Sequence, residues 1–299
     1  MIYTIGETVI DMIFKNMQPQ AAKVGGSALN TSVSLGRLGN SVSFISEIGN
    51  DELGAWCTSF LHENGVDTAH LVQYQDKKTS LALAFLNENN DAKYQFYKEF
   101  TDPMIVDDFE FSPSDIVLFS SSFALNDRVR HSVVSLLQKA SAQNVLIMYD
   151  PNMRKTLDVH SQKYTFLTEN LRFADIVHLS DEDATAIFGT AEVNSVFCEL
   201  QKYGVQTLVF TQNKFDVILK TADMCLSYPV PQINPVSTIG AGDTFNAGVL
   251  HSLAQAKVTK IDITKVSVDF WNKTIPFAIS CAGKVCLSMD NYLEVRDKN

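Results

Sequence analysis

The chain has 299 residues, of which 45% are hydrophobic and 19% charged, a composition typical of a globular protein with a sizeable core. Its net charge of −10 argues against nucleic acid or an anionic membrane as the main partner, but not against a small anion held by backbone N–H groups. The five cysteines lack paired spacing, and neither a signal peptide nor an apolar run of ~18 residues is recognisable, so we expect a cytoplasmic protein.

Strand-like apolar runs alternate with helical patterns along most of the chain. The strand-like runs are residues 2–5, 42–45, 116–120, 145–149, 176–179 and 207–211. Helical patterns cover residues 28–38, 52–63, 130–142, 162–173 and 195–203, and residues 265–287 are predicted to be helical with an interruption at Pro276. This alternation predicts an α/β fold, in which helices cover both faces of a mainly parallel sheet.

Two segments, residues 8–24 and 79–99, contain strand-like runs without helices between them. Residues 81–86 and 94–97 flank a hairpin turn predicted at residues 87–91. We expect a separate small sheet that acts as a lid, although an edge extension of the main sheet is the alternative. No linker is evident, so residues 1–299 are expected to form a single domain with a β lid at about residues 11–24 and 79–100.

The segment at residues 237–250, STIGAGDTFNAGVL, combines a glycine-rich turn with the start of an amphipathic helix. Gly240, Ala241 and Gly242 stand directly before Asp243, and such a turn offers free backbone N–H groups to an anion. A carboxylate there repels phosphate, which makes sense if Asp243 takes the proton of a hydroxyl that attacks a bound phosphoryl group. An ordinary helix N-terminus explains the residues equally well.

Polar residues that suit a sugar lie near the start of the chain. Gly25 and Gly26 precede a helical pattern, and paired glycines let a ligand approach the backbone closely. Asn30 offers both donors and an acceptor, and Asp11, predicted at the end of a strand, could bridge two hydroxyls. Taken singly, each segment is also compatible with a turn or a solvated acid.

Two further polar segments follow predicted strands. The run 150–154, DPNMR, brings Arg154 beyond the strand at 145–149, where ligands of parallel sheets bind. Ser180 and Asp183 follow the strand at 176–179 and could form either a helix cap or a water-mediated magnesium site.

Together these segments resemble a known family. Residues 25–39, GGSALNTSVSLGRLG, are similar to the first signature of the ribokinase-like, or PfkB, carbohydrate kinases, and residues 237–248, STIGAGDTFNAG, to the second. Residues 6–11, 49–54, 63–67, 94–97 and 150–154 extend the resemblance, which is greatest to the fructokinase branch and covers nearly the whole chain. It implies a ribokinase-like α/β domain with a small β lid.

The resemblance also implies an activity: transfer of the ATP γ-phosphoryl group to a sugar hydroxyl, with Mg²⁺. Fructose or a similar ketose is the favoured sugar, and ribose, 2-keto-3-deoxygluconate or a nucleoside are alternatives. A homodimer formed through the lid is expected.

Roles are carried over from the family by position. Asp243 would be the base, and the backbone N–H groups of Ala241, Gly242 and Asp243 would form the anion hole, with Gly240 as a further catalytic residue of the same turn. The substrate would be held by Asp11, Gly25, Gly26, Asn30 and Arg154. The nucleotide side would comprise Ser180, Asp183, Thr211 and Asn213, with Asp183 holding the metal through water.

Three departures from the family pattern matter. Ser237 replaces the usual Asp of D-T-x-G-A-G-D, which weakens the case for a monovalent cation there. The N-x-x-E motif reads Ser180-x-x-Asp183, and the nucleotide loop T-L-G-x-x-G has Asn213 and Asp216 in place of its glycines. A sugar-binding or regulatory protein that uses nucleotide poorly is therefore an alternative of a different class.

Overall fold

The computed structural model describes residues 1–88, 92–153 and 155–294. The strands are β1 Ile2–Ile5, β2 Val9–Lys15, β3 Gln18–Gly25, β4 Val42–Gly49, β5 Val66–Asp67, β6 Leu71–Tyr74, β7 Leu81–Leu86, β8 Ala92–Tyr97, β9 Ile116–Ser120, β10 Leu146–Asp150, β11 Ile176–Ser180, β12 Thr207–Thr211, β13 Val217–Lys220 and β14 Cys225–Tyr228. The helices are α1 Ser27–Arg37, α2 Glu52–Glu63, α3 Asp127–Ala142, α4 Gln162–Leu171, α5 Asp181–Phe188, α6 Val193–Gln201, α7 Ala241–Gln255 and α8 Val268–Cys286. Arg154 and residues 89–91 of the predicted turn lie outside the described residues.

The main sheet is mostly parallel, as predicted. Its strand order is β14-β13-β12-β11-β10-β9-β1-β4-β5, and β6 pairs with β4 beside β5. Within the described residues, the antiparallel strand pairs of the main sheet are β12–β13 and β13–β14, and its other pairs are parallel. Side chains of β9 alternate between two cores: Ile116 and Leu118 pack with α1, α7 and α8, whereas Val117 and Phe119 pack with α3 to α6. Helices therefore bury both faces of the sheet, and the parallel strands read as continuous apolar runs.

The small sheet is separate from the main one, with the strand order β3-β2-β7-β8. The alternative of an edge extension is therefore wrong. The prediction that Asp11 ends a strand is also wrong, because Asp11 lies inside β2, opposite Lys23 of β3. The cross-strand lysine lets a carboxylate stay within the sheet, because opposite charges on facing positions stabilise a strand pair.

The interruption predicted at Pro276 does not occur, and α8 runs through it from Val268 to Cys286. Proline removes one helical hydrogen bond, but Trp271, Ile275 and Ala278 of α8 are fully buried in the core. Contact with α7 is close: a methyl group added at Gly248 would lie 2.6 Å from the Cα of Ala278. Burial along this helix pair outweighs the missing bond.

Helix α1 fixes the start of α7 through polar contacts. The Thr31 hydroxyl donates to the Asp243 carbonyl at 3.0 Å, and the hydroxyls of Ser34 and Thr244 lie 3.3 Å apart. These contacts join the two signature segments, although more than 200 residues separate them. Across the described ranges, every helix is too short or too polar to cross a membrane.

Candidate active site

Asp243 lies in the first turn of α7 and is 6% exposed. Its Oδ1 accepts a hydrogen bond from the Ser27 hydroxyl at 2.6 Å, and its Oδ2 accepts one from the Asn30 amide at 2.8 Å. The Asn152 amide donates in turn to the Ser27 hydroxyl at 3.3 Å. A carboxylate oxygen has two lone-pair sites and can accept more than one hydrogen bond. The arrangement orients a carboxylate that can take a proton.

Asp11 lies against Gly25 and is close enough to Asp243 to be affected by its charge. A Cβ added to Gly25 would collide with the Asp11 carboxylate, and Gly26, at φ 125°, leaves no room for a Cβ beside the Glu7 carbonyl. Burial, the charge of Asp243 and the charge of Glu7 raise the pKa of Asp11 to about 7, against the opposing effect of Lys23. The structure thus brings Asp11, the glycine pair and Asn30 to the predicted base.

The turn before Asp243 has the shape expected of an anion site. Gly240 is left-handed, at φ 78°, and a Cβ there would also collide with the Asn291 carbonyl. The N–H of Ala241 reaches the Thr238 carbonyl at 3.3 Å, a long hydrogen bond. Among the described residues, a Cβ at Gly242 would meet only the His178 ring within 4 Å, at 3.9 Å, so this part of the structure leaves that side of the turn open.

A second polar cluster lies at the carboxyl ends of β10 and β11. The Asn246 amide donates to Asp150 Oδ2 at 2.6 Å, and His178 Nδ1 lies 3.5 Å from the same oxygen. Burial opposes a charge on His178, but Asp150 outweighs it, and the pKa of His178 is raised. Asn246 is one turn beyond Asp243 on α7, so this helix connects the base to the cluster.

Ser180 and Asp183 form the capping box that was one of the two interpretations of this segment. Ser180 accepts from the Asp183 N–H at 3.0 Å, and Asp183 Oδ2 accepts from the Ser180 N–H, also at 3.0 Å, and from its hydroxyl at 2.6 Å. Burial and the nearby charge of Asp150 raise the pKa of Asp183. A cap does not exclude a water-mediated metal contact. However, within the described ranges His, Cys, Asp and Glu residues form no group of three that could cage a metal.

The predicted nucleotide residues Thr211 and Asn213 lie at the end of β12 and in the turn after it. The Thr211 hydroxyl lies 3.1 Å from His178 Nε2, which joins it to the Asp150 cluster. Asn213 is exposed, and its backbone is in the left-handed region at φ 52°. Asparagine therefore keeps a backbone conformation that glycine adopts readily. Asp216 accepts a hydrogen bond from the Ser227 hydroxyl on β14.

Comparison with known proteins identifies the family. The model of the pfkB family carbohydrate kinases matches residues 1–265. The chain belongs to this family. It is an ATP-dependent carbohydrate kinase, a phosphotransferase with a sugar hydroxyl as acceptor.

A relative agrees with this assignment of the PfkB kinase, and two solved structures share its fold. Fructokinase of Escherichia coli is 27% identical over 259 residues, which cover 85% of this chain and 84% of that protein. The crystal structure of fructokinase with bound ATP from Xylella fastidiosa has a TM-score of 0.83 and 23% identity, over 97% of this chain and 93% of that one. Fructokinase from Vibrio cholerae in its fructose, ADP and calcium ion bound form also gives 0.83, at 20% identity, over 97% and 94% of the two chains.

Sequence reasoning missed several residues of this PfkB kinase site. Ser27 and Asn246 lie inside the two signatures, and spacing was a usable signal for Asn246, three residues after Asp243 on the same helix. Asn152 lies in the DPNMR segment, in which the sequence predicts Arg154 as the site residue. His178 is an isolated polar residue in an apolar strand, and Asn291 lies in an irregular segment near the end of the chain. Only the three-dimensional arrangement reveals these last two.

Proposed function

We propose that this PfkB kinase phosphorylates fructose, with Asp243 as the general base. The observation that carries the proposal is the orientation of a buried carboxylate, by Ser27 and Asn30, at a helix start whose glycine turn can hold an anion. Fructose is favoured because the E. coli and V. cholerae relatives are fructokinases and the V. cholerae structure contains fructose.

The sugar lies against Gly25 and Gly26 in this proposal, with hydroxyls bound by Asp11 and Asn30. Asp243 takes the proton of the attacking hydroxyl while the hydroxyl oxygen bonds to the γ-phosphorus, and the bond from that phosphorus to the bridging oxygen of ATP breaks to release ADP. The N–H groups of Ala241, Gly242 and Asp243 hold the transferred group, with the helix dipole favouring its charge. Arg154 would lie near the phosphate path.

The nucleotide side is assigned to Ser180, Asp183, Thr211 and Asn213. The residues present fit Mg²⁺ held through water, because Asp183 and Asp150 supply buried carboxylate oxygens at one edge of the sheet. Magnesium would supply charge neutralisation for the phosphates. Ser237 does not fit a monovalent cation well, because its neutral hydroxyl already accepts the Ile239 N–H at 3.2 Å.

We also propose that residues 1–299 form a single domain in the cytoplasm, that the small sheet closes over the sugar as a lid, and that two chains pair through it. Of the two classes of function left open by the sequence, the kinase is favoured over a sugar-binding protein. An oriented, buried base is needed for proton abstraction but not for binding alone.

The test is an ADP-release assay with fructose, followed by Asp243→Asn. We expect kcat to fall about 10²- to 10⁴-fold, because the variant lacks a general base. Fructose affinity, measured by calorimetry, should stay within about threefold, because the amide keeps the shape of the side chain. Asp269→Asn, in the first turn of α8, is the matched control. Near-normal turnover of Asp243→Asn would overturn the base, and a wild type that binds fructose without releasing ADP would favour the non-enzymatic alternative.

A further inference from the structure

The chain returns to the active site after its last helix. Residues 288–293, here called the C-terminal strap, have no regular secondary structure, yet they lie against both the glycine turn of α7 and the lid hairpin β2–β3. The strap lies outside both signature segments and beyond the family match, which ends at residue 265.

Asn291 occupies the centre of this contact and is only 4% exposed. Its carbonyl fills the space beside Gly240 where a side chain would otherwise project. Its amide Nδ2 lies 3.5 Å from Asp11 Oδ2, a distance too long for a strong hydrogen bond. The amide is therefore close to the sugar-side acid but not fully engaged by it.

Asp11 and Asn291 border the same space above Gly25. A Cβ added to Gly25 would collide with Asp11 Oδ2 and would lie 3.8 Å from Asn291 Nδ2. One of these groups is an acceptor and the other a donor. A sugar hydroxyl needs one of each, because it donates its proton and accepts at its oxygen.

Contacts on both sides hold the strap in place. On one side, Lys23 of β3 lies 3.1 Å from Asp290 and also donates to the Met289 carbonyl. Lys23 is the cross-strand partner of Asp11, so consecutive strap residues contact the two members of one strand pair.

On the other side, the Leu293 N–H donates to the Ser34 hydroxyl at 3.3 Å, and Arg37 donates to the Leu293 carbonyl. The Arg37 guanidinium also lies 4.8 Å from the centre of the Tyr292 ring. An amide anchored from both sides is pre-organised, which is what selective binding of a hydroxyl requires.

We propose that Asn291 is a sugar-recognition residue, whose amide donates a hydrogen bond to a hydroxyl oxygen while Asp11 accepts a hydrogen bond from the same hydroxyl. The proposal deepens the proposed function and rests on it. A packing role makes a different prediction, because loss of packing would weaken all sugars and both substrates alike.

The test compares Asn291→Leu, which keeps the side-chain volume without the amide, with wild type. Asn291→Ala, which removes the amide without adding a charge beside Asp11, is a second variant in case the first folds poorly. Asp269→Asn, an exposed change in the first turn of α8 and outside the strap, is the control. For both Asn291 variants we expect the KM for fructose to rise on the order of tenfold, with kcat and the KM for ATP within about twofold. The control should stay within about twofold in all three constants.

Monodeoxy-fructoses separate contact from packing. Calorimetry should give wild type and Asn291→Leu the same affinity for the analogue that lacks the recognised hydroxyl. For the other analogues, wild type should still bind more tightly than the variant. An equal loss for every analogue, or a fructose KM that changes less than twofold, overturns the proposal. A wild type that binds ribose, 2-keto-3-deoxygluconate or a nucleoside instead refutes only fructose, and the same variants with deoxy analogues of that sugar then decide the role of Asn291. A wild type that binds no sugar overturns both proposals.

Discussion

Two carboxylates, Asp11 and Asp243, face one small space, and each has a separate role in the proposed reaction. Asp11 bears the cost of this arrangement. Its pKa is raised to about 7 by burial and by the charges of Asp243 and Glu7. Lys23 opposes them from the facing position on β3, and Asp290 contacts that lysine from the strap. The unfolded chain releases the same proton near pH 3.8, so the folded and unfolded states bind different numbers of protons between these values.

The sign of the resulting stability change follows directly. Below pH 3.8 Asp11 is neutral in both states, and above about 7 it is ionised in both, with an ionisation cost that the folded state alone bears. The contribution of Asp11 to stability is thus fully present at low pH and lost as the pH rises through about 7. We therefore expect Asp11→Asn to raise the melting temperature relative to wild type by more at pH 8 than at pH 4, as measured by calorimetry without ligands. Glu52→Asn, an exposed acid in the first turn of α2, is the control. A difference that is independent of pH would contradict the raised pKa.

At the scale of elements, the turn between β12 and β13 departs from the family pattern at both glycine positions. The first of these positions keeps the left-handed backbone conformation that glycine adopts readily. Asn213 adopts the left-handed conformation at φ 52°, and Ser227 of β14 binds the carboxylate of Asp216. The turn therefore differs from a glycine loop by a side chain at each position and by one negative charge. We expect the Asp216 side chain to point away from the phosphates of a bound nucleotide.

The double variant Asn213→Gly/Asp216→Gly tests the effect of this turn on ATP. We expect the KM for ATP to fall about three- to tenfold and the KM for the sugar to stay within about twofold, because a side chain and a repelling charge are removed only on the nucleotide side. Ser227→Ala, which frees the Asp216 carboxylate from β14, should raise the KM for ATP. Initial rates over a grid of both substrates give all the constants. If the ATP constants do not change, the two substitutions in the turn are neutral.

Elements with local signals were predictable from the sequence. Residues 52–63 form α2 as predicted, and the apolar runs at β1, β9 and β12 have the predicted bounds. The antiparallel strands β13 and β14 are four residues each, too short for a clear alternation, and were not anticipated. The helix interruption predicted at Pro276 and the strand end predicted at Asp11 were wrong because tertiary contacts override local preference. These contacts are burial of α8 at Pro276 and the facing lysine of β3 at Asp11. Asp243 was identified from the sequence because it lies in a signature motif. Asn291 was not, because only tertiary contacts bring it to the site.

At the scale of the whole molecule, the small sheet presents both open edges and exposed apolar side chains. Its outer strands, β3 and β8, are edges, and edges present unpaired backbone groups to a partner chain. Large apolar side chains are exposed on it: Met17, between β2 and β3, is 73% exposed, and Phe96 and Tyr97 of β8 are 54% and 50% exposed. Large apolar groups exposed at several points of one sheet favour an interaction surface, and a second copy of the chain is the partner we propose.

The dimer can be tested without knowing the substrate. We expect light scattering to give twice the chain mass of 33.2 kDa at micromolar concentration, and the variant Met17→Asp/Tyr97→Asp to give the mass of one chain. Two charges placed on each copy of a symmetric contact would repel their equivalents and lose apolar burial, which is enough to shift a dimer of ordinary affinity. Ile261→Asp is the matched control, because Ile261 is 66% exposed but lies outside the small sheet. A wild type that stays monomeric as its concentration is raised would reject the dimer, and lid closure over the sugar would then be a property of the single chain.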